Sequence, residues 1–513
     1  MIDLKSIVVR KQNTALLIVC LIFISLPFLF VQFIPSTDLP QHLAQIRLLQ
    51  DILKNPTQSE YVVGWAGANT LVSYVLEINW IIFPPILTGK MVVLEIAIAW
   101  IIGIFALARR RNCSPFSATL ACVFVFNASV AWGFLNFLIG LPIFILWFLL
   151  IIDRKKPWPI ITEIVLLMSI SFLLFLAHTL WLLLAVIHFF VATLRQRPTL
   201  KEIGIRCTAL TPVCVYSAFW FPQLSAIRAT IGFDTAAHWI VLPLERMNPR
   251  WMLESLLGGI RGPAEALVLG GIAVWIGMSL ITNRGKLRTL VEKEFLFIGI
   301  LLTLVVFCAP DKYMNTIYFA SRWAPAAMIF FLLALPLPQI QKSVLAFYTI
   351  LLLAILSLTT CWYWWRFEAT ENSGLSESLM KIRDNSRVLG LDFVQESEFI
   401  CGRPFLQTFA YAQVLHGGKI NFSFAEHYSE LVSFTKVKRV RLWTPGLEWY
   451  PQRVSPSDIN CFDYTLINGL DSVHNFFTSF SMLTPVTTTG RWRLYRCVKD
   501  TLAQQHANQT MAH

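Results

Sequence analysis

A carboxylate and an imidazole lie close together near the start of the chain, in the segment 36–42 (STDLPQH). The segment directly follows the apolar run 14–33, and Pro40 favours the start of a helix there. Asp38 would then either cap that helix, with His42 at the surface, or point into a cavity with His42 one turn away. In a cavity, Asp38 would act as a general base or as a metal-binding carboxylate, and His42 would share the site.

Two cationic side chains near the start of a later apolar run are suited to binding phosphate. Arg322 directly precedes the run 323–337, and its guanidinium can bind phosphate oxygens in bidentate fashion. Lys312 is a second candidate for the same role. The alternative for Arg322 is a structural side chain that reaches the membrane interface.

Four further polar residues lie between apolar runs. Asn136 could hydrogen-bond a sugar or an acceptor, or be a polar turn residue. His178 could bind phosphate or sugar, or be satisfied by a neighbouring backbone carbonyl. Asp234 and His238 repeat the i, i+4 spacing of Asp38 and His42, which would allow them to join these two residues in a metal site.

The composition places most of this chain in a membrane. Hydrophobic residues make up 56% of its 513 residues and charged residues only 14%, against about 25% charged in a typical soluble domain. The net charge of +12 comes mainly from short basic clusters between apolar runs, which is how membrane topology is encoded. We therefore expect the lipid bilayer, and no nucleic acid, as a partner.

The basic clusters also predict the topology, because each should face the cytoplasm and an even number of spans must separate successive clusters. The run 71–86 would break this parity as a span, so we interpret it as an interfacial helix. The eleven predicted spans are 14–33, 85–108, 115–131, 137–152, 158–176, 180–194, 207–221, 264–281, 295–309, 323–337 and 343–361. The N-terminus is then cytoplasmic and the C-terminus extracytoplasmic.

This topology divides the chain into a transmembrane domain (1–365), an external C-terminal domain (366–500) and a disordered tail (501–513). The large external loops are 35–84, with juxtamembrane helices, and 222–262. In the C-terminal domain, turn signals separate short β-prone segments at 387–393, 419–424, 439–443, 462–467 and 492–498, with a helix at 404–415. This mixture predicts an α/β or α+β fold.

Three cysteines lie in this C-terminal domain. Cys461 and Cys497 could form a disulfide, with Cys401 as a competitor for either.

An acidic residue just after the first span, a long first loop, about eleven spans and an external C-terminal domain together resemble the GT-C membrane glycosyltransferases. These polyprenyl-phosphate-sugar-dependent enzymes include relatives of protein mannosyltransferases and aminoarabinose transferases. The resemblance implies that Asp38 activates the acceptor or holds a divalent metal, Mg²⁺ or Mn²⁺. Many members have adjacent acidic residues in this loop, whereas Leu39 follows Asp38 here, so metal dependence stays open.

The function predicted from this resemblance is transfer of a sugar from a polyprenyl-phosphate donor to an extracytoplasmic glycan, lipid or protein. An inverting displacement would release the carrier phosphate to Arg322 or Lys312. The alternatives are a transporter or flippase for a lipid-linked or anionic solute, and a non-catalytic subunit of an envelope polysaccharide assembly system. The uncleaved first anchor and the short loops favour a bacterial inner membrane, and no nucleotide-binding motif is present.

Overall fold

The computed structural model describes residues 4–56, 59–151, 159–196, 199–314, 316–435 and 441–498. Side chains are described from residue 12 onwards, except those of residues 194–196. The predicted disordered tail at 501–513 and the basic cluster at 154–156 lie outside the described residues.

The chain begins with one long apolar helix, and two shorter helices follow it in the predicted first loop. These elements are α1 (Leu4–Ser25), α2 (Leu39–Lys54), β1 (Tyr61–Val63) and α3 (Leu71–Ile82). Helix α3 has 12 residues, fewer than the ~20 that cross a bilayer. Several predicted spans also coincide with short apolar helices, so the interfacial placement of α3 stays a prediction.

Apolar helices make up most of the chain up to residue 366. They and the short helices between them are α4 (Pro85–Arg110), α5 (Pro115–Ala121), α6 (Ala128–Trp132), α7 (Leu135–Ile151), α8 (Ile160–Ala177), α9 (Thr179–Gln196), α10 (Leu200–Thr230), α11 (Pro249–Leu256), α12 (Ala264–Thr282), α13 (Leu287–Leu290), α14 (Lys293–Cys308), α15 (Ala324–Ala334) and α16 (Lys342–Arg366).

Seven helical segments in the described part of the chain are long and apolar enough to cross a membrane: Gln12–Leu29, Pro85–Arg110, Pro115–Trp132, Ile160–Ala177, Leu200–Thr230, Ala264–Thr282 and Lys342–Glu371. The other predicted spans coincide with shorter helices, so a count of eleven stays a prediction. The end of one predicted span is wrong, because α10 continues past residue 221 to Thr230.

A proline inside α7 shows how neighbouring helices supply each other's missing hydrogen bonds. Pro142 lies inside α7 and has no N–H to donate to the carbonyl of Leu138. The indole of Trp100 on α4 donates to that carbonyl at 2.8 Å. A polar group freed inside the helix bundle is thus paired by a neighbouring helix, as the absence of water in a bilayer requires.

The C-terminal domain is built on a five-stranded mixed sheet. Its elements are α17 (Leu375–Met380), β2 (Arg387–Asp392), α18 (Tyr411–His416), β3 (Lys419–Ile420), β4 (Val432–Phe434), α19 (Pro456–Asn460), β5 (Tyr464–Asn468), α20 (Asp471–Thr478), β6 (Leu483–Pro485) and β7 (Trp492–Cys497). The strand order is β3-β2-β5-β7-β6, with β3 and β5 parallel to β2 and with β7 antiparallel to both β5 and β6. The predicted mixed α and β composition of this domain is therefore confirmed.

The individual elements agree less uniformly with the predictions. Strands are present in the predicted segments 387–393, 462–467 and 492–498, whereas in 419–424 only two residues form a strand. Residues 441–443 are not a strand, so that part of the predicted segment 439–443 is wrong; residues 439 and 440 lie outside the described range. In the predicted helix 404–415, only a 3₁₀ turn (Thr408–Ala410) and α18 are helical.

The disulfide suggested for Cys461 and Cys497, with Cys401 as a competitor, is not formed in the structure. The thiol of Cys461 contacts the carbonyl of Leu442 at 3.3 Å, and that of Cys497 contacts the hydroxyl of Thr465 at 3.3 Å.

The first loop and the C-terminal domain are joined by backbone pairing and by buried amides. Strand β1 pairs antiparallel with β4. Gln41 on α2 donates to the Gln407 side chain at 2.9 Å and accepts from the backbone N–H of Phe424 at 3.1 Å. Gln45, one turn later, accepts from the backbone N–H of Val432 at 2.8 Å. Helix α2 is therefore fixed between the helix bundle and the C-terminal domain.

We predict that Gln41→Leu destabilises this junction, because it leaves the buried Phe424 N–H without a partner. The expected cost is about 2 to 4 kcal/mol, seen as a lower midpoint of thermal unfolding of the detergent-purified protein. The matched control is Gln452→Leu, at an exposed position, which should leave the midpoint within about 1 °C. Equal midpoints for the two variants would contradict a structural role for Gln41.

Candidate active site

The backbone around Asp38 is held by the end of the short helix α6. The N–H groups of Thr37 and Asp38 donate to the carbonyls of Ala131 and Trp132 at 2.9 and 3.1 Å. The hydroxyl of Ser36 donates to the carbonyl of Val130 at 2.8 Å. Asp38 is therefore fixed by main-chain bonds that do not involve its own side chain.

The side chain of Asp38 is not used as a helix cap. Asp38 occupies the N-cap position of α2, but its carboxylate accepts no capping hydrogen bond. It is half-buried and lines a cavity of about 660 Å³. His42 lines the same cavity and is only 6% exposed. The alternative of a capping Asp38 with a surface His42 is therefore wrong.

Six of the eight residues predicted as site residues line this one cavity. They are Asp38, His42, Asn136, His178, Lys312 and Arg322. They come from five separate parts of the chain, so the fold assembles residues that the sequence only suggested one by one.

Arg322 is a buried part of the cavity wall, at 6% exposure. Its Nε donates to the carbonyl of Tyr318 at 3.1 Å and its Nη2 to that of Ile317. The guanidinium lies over the ring of Phe134, 4.3 Å from the ring centre. These contacts fix the side chain and leave Nη1 without a partner among the described residues, so Nη1 is available to an anion. The alternative of an interfacial, membrane-snorkelling arginine is wrong.

Asn136 and His178 have structural contacts as well as a place in the cavity wall. The Asn136 side chain accepts from the backbone N–H of Val72 at 3.2 Å, which ties α7 to α3. Nδ1 of His178 accepts from the backbone N–H of Leu180 at 3.3 Å. Both residues therefore position neighbouring helices, and their contribution to ligand binding stays a prediction.

Asp234 and His238 lie apart from Asp38. They bond each other at 2.7 Å, and Asp234 also pairs with Lys312 at 3.1 Å. Neither residue lines the cavity.

No group of three or more His, Cys, Asp or Glu side chains in the described ranges is arranged to hold a metal ion. The predicted set of four metal ligands does not fit a shared ion, because Asp234 and His238 are paired elsewhere.

Several polar and charged residues of this cavity were not predicted from the sequence. They include Arg228 at the end of α10, and His427 and Glu430 in the segment between β3 and β4. Oε2 of Glu430 lies 3.8 Å from Nδ1 of His42. Nothing in the sequence relates position 430 to position 42, since tertiary contacts of β1 and α2 with the C-terminal domain bring them together.

Burial in this cavity shifts the titration of its acids and bases. It raises the pKa of Asp38 to about 8; the Glu430 carboxylate adds to the rise and Arg322 opposes it. It raises the pKa of Glu430 to about 7, with Arg228 opposing. It lowers the pKa of both His42 and His427 to about 4. Both imidazoles are therefore neutral at pH 7, and Asp38 is poised to hold or release a proton.

A second cavity of about 630 Å³ adjoins the first one. The two share wall residues that include Trp132, Phe134, Lys312 and Arg322. Arg322 thus lies at the boundary between two spaces, each large enough for a small ligand.

Comparison with solved structures gives the fold a known counterpart. ArnT from Cupriavidus metallidurans in the apo state matches with a TM-score of 0.52 and 12% identity, over 94% of this chain and 97% of that chain. The chain shares the fold of ArnT. The same protein bound to undecaprenyl phosphate matches with the same TM-score and coverage at 10% identity. No protein-family model matches the sequence, and no curated protein matches it significantly.

This likeness confirms the predicted resemblance at the level of fold and supports an integral membrane protein with a C-terminal sheet domain. The identity is too low for residue roles to be carried over. The candidate site therefore depends on its own geometry.

We predict that Gly133→Ala displaces Asp38. Gly133 has φ +79°, and a Cβ there would lie 2.8 Å from the Asp38 nitrogen. Backbone strain and this clash together should cost about 1 to 3 kcal/mol, measured as a fall in the thermal unfolding midpoint. Gly277→Ala in α12, where nothing lies within 4 Å of the added carbon, is the control and should not destabilise. A Gly133→Ala variant as stable as that control would contradict the close packing of the Asp38 loop on α6.

Proposed function

We propose that the chain is a membrane glycosyltransferase that moves a sugar from a polyprenyl-phosphate donor to an extracytoplasmic acceptor. The observation that carries the proposal is the arrangement of one cavity, in which an uncapped carboxylate and a fixed guanidinium face the same space. The ArnT fold supports it, because one structure with that fold was determined with undecaprenyl phosphate bound. The proposed location is a bacterial inner membrane, with the C-terminal domain outside the cytoplasm.

In the proposed reaction, Asp38 acts as the general base. It removes the proton of an acceptor hydroxyl while that oxygen attacks the anomeric carbon of the donor sugar. The bond between the anomeric carbon and the phosphate oxygen breaks, and the electron pair leaves with the phosphate. The configuration at the anomeric carbon inverts, and the proton stays on Asp38. A general base works best when its pKa lies near the pH of the reaction, and the pKa of Asp38 is about 8.

Arg322 stabilises the leaving phosphate in this scheme. Negative charge builds on the phosphate as the bond breaks, and a fixed donor aimed at that charge lowers the barrier. Two of the three guanidinium nitrogens are held by backbone carbonyls, so Nη1 needs little reorganisation to bind the phosphate. In this scheme the carrier lipid reaches Arg322 through the second cavity, and the acceptor enters through the first.

A divalent ion is not used in this scheme. The cavity side chains do not form a cluster of three metal ligands in the described part of the chain, and the predicted ligands Asp234 and His238 are paired with Lys312 and each other. An ion held by Asp38 would depend largely on oxygens supplied by the substrate. We propose that Asp38 acts as a base, and that EDTA leaves transfer unchanged.

The transfer assay tests the proposal directly. Purified protein in detergent is incubated with a panel of undecaprenyl-phosphate sugars and acceptors, with and without EDTA, and the release of undecaprenyl phosphate is measured. We expect release by the native protein and a loss of at least about 100-fold in Asp38→Asn.

Asp51→Asn is the matched control. Asp51 lies on the same helix α2, pairs with Arg47 and does not line the cavity, so the control should keep near-native turnover. Native turnover in Asp38→Asn would exclude Asp38 as the base. No release with any donor, while donors still bind, would favour a transporter or a non-catalytic subunit.

The pKa of Asp38 predicts the pH dependence of the reaction. The carboxylate must be ionised to accept a proton, and the ionised fraction grows as pH rises through about 8. We expect kcat/KM to rise about ten-fold per pH unit below pH 8 and to level off above it. Donor binding, measured in the same buffers, distinguishes titration of the base from a loss of substrate binding. A profile that is flat between pH 6 and 9 would contradict the assignment.

A further inference from the structure

Four buried polar atoms around the 660 Å³ cavity lack hydrogen-bond partners within the described part of the chain. They are Nδ1 of His42, Oε2 of Glu430, Nε of Arg228 and Oδ1 of Asn69. Buried polar atoms in proteins are almost always paired. Four unpaired polar atoms that line one cavity therefore indicate that a ligand forms hydrogen bonds with them.

The first two orphan atoms face each other across a gap of fixed size. Nδ1 of His42 and Oε2 of Glu430 are 3.8 Å apart, and their side chains are 7% and 12% exposed. The gap is too long for a direct hydrogen bond, yet one hydroxyl oxygen can lie at about 2.7 Å from both atoms. A hydroxyl can bridge the two atoms, because it donates one hydrogen bond and accepts another at the same time.

The third unpaired atom belongs to a guanidinium that is already partly held. Arg228 donates through Nη1 to the carbonyl of Met314 at 2.9 Å and through Nη2 to the hydroxyl of Ser429 at 3.0 Å. The Nε–H and one further N–H of each Nη can still donate to ligand oxygens. The charge of the ligand is restricted by Glu430 and Asn69, because a phosphate would bring no donor for either acceptor and the Glu430 carboxylate would repel it.

Aromatic rings complete the same part of the cavity. The ring of Phe424 packs edge-on against His42 with 5.4 Å between centres, and against His427 with 5.1 Å. Phe422 packs against His427 at 5.6 Å. Apolar ring faces beside isolated hydrogen-bonding atoms suit a ligand with both hydroxyl groups and C–H faces, which is the character of a pyranose.

We propose that His42, Glu430, Arg228 and Asn69 bind an uncharged, polyhydroxylated sugar ring of the acceptor, and we name these four residues the hydroxyl subsite. Asp38, Glu430 and Arg322 line the same cavity, and Asp38 interacts electrostatically with both of the others. The subsite presents an acceptor hydroxyl to Asp38. This inference rests on the proposed function and narrows its acceptor to a neutral glycan or glycolipid sugar.

Binding of simple sugars tests the hydroxyl subsite without knowledge of the natural acceptor. The full chain in detergent is titrated with the methyl glycosides of glucose, galactose and mannose, and separately with inorganic phosphate and undecaprenyl phosphate. Binding is followed by the shift of thermal unfolding. We expect at least one glycoside to stabilise the native protein and inorganic phosphate not to compete with it.

Two variants test the residues of the subsite independently. Glu430→Gln keeps the side-chain volume and weakens the hydrogen bond to a hydroxyl, and Asn69→Ala removes a different acceptor. Each should weaken glycoside binding about ten-fold and leave the undecaprenyl phosphate shift unchanged. Glu398→Gln, at an exposed position of the same C-terminal domain, is the matched control and should bind both ligands as the native protein does.

The outcomes separate the two proposals. Failure of every glycoside to bind, competition by inorganic phosphate, or native glycoside affinity in both variants would overturn the hydroxyl subsite. Glycoside binding that depends on Glu430 and Asn69, in a protein that neither binds undecaprenyl phosphate nor releases it from any donor, would leave the subsite standing and contradict the proposed transfer reaction.

Discussion

The hydrogen bonds from the Ser36 hydroxyl and the Thr37 and Asp38 N–H groups to the last carbonyls of α6 are the constraint on which the site depends. A helix that begins with an aspartate normally uses the carboxylate to pair its first N–H groups. Here the preceding backbone is held from outside the helix, so the carboxylate is left for the cavity. Gly133, in the left-handed region at the end of α6, lets the two chain segments come this close.

The second constraint is the junction between the first loop and the C-terminal domain. Strand β1 and strand β4 form a small sheet across it, and Gln41 and Gln45 of α2 pair with backbone groups of the C-terminal domain. This junction brings Glu430 beside His42. The C-terminal domain therefore supplies part of the cavity wall, and the cavity exists only where the two parts of the chain meet.

The sequence predicted the features that have a local or periodic signal. Apolar runs predicted the helical membrane class, and the STDLPQH segment pointed to Asp38 and His42. Alternating and β-branched segments gave β2, β5 and β7. Asp234 and His238, suggested as partners of Asp38 in a metal site, do not line its cavity, because i, i+4 spacing contains no information on which segments of the chain meet.

Glu430, His427 and Arg228 could not be predicted for a related reason. His427 and Glu430 lie in the segment just before β4, which pairs with β1 from the far end of the sequence and has only three residues. Arg228 was predicted to lie in the loop 222–262, whereas α10 continues through Pro222 to Thr230. Tertiary packing overrides the local preference of proline here.

A structure of the protein with undecaprenyl phosphate bound would show whether Arg322 binds the carrier phosphate beside Asp38. We expect the phosphate at the boundary of the two cavities, within about 3 Å of Nη1 of Arg322, with the carboxylate of Asp38 facing the oxygen that carries the sugar in a donor. Phosphate bound away from Arg322, for instance among the arginines at 109–111 at the C-terminal end of α4, would contradict the proposed role of Arg322.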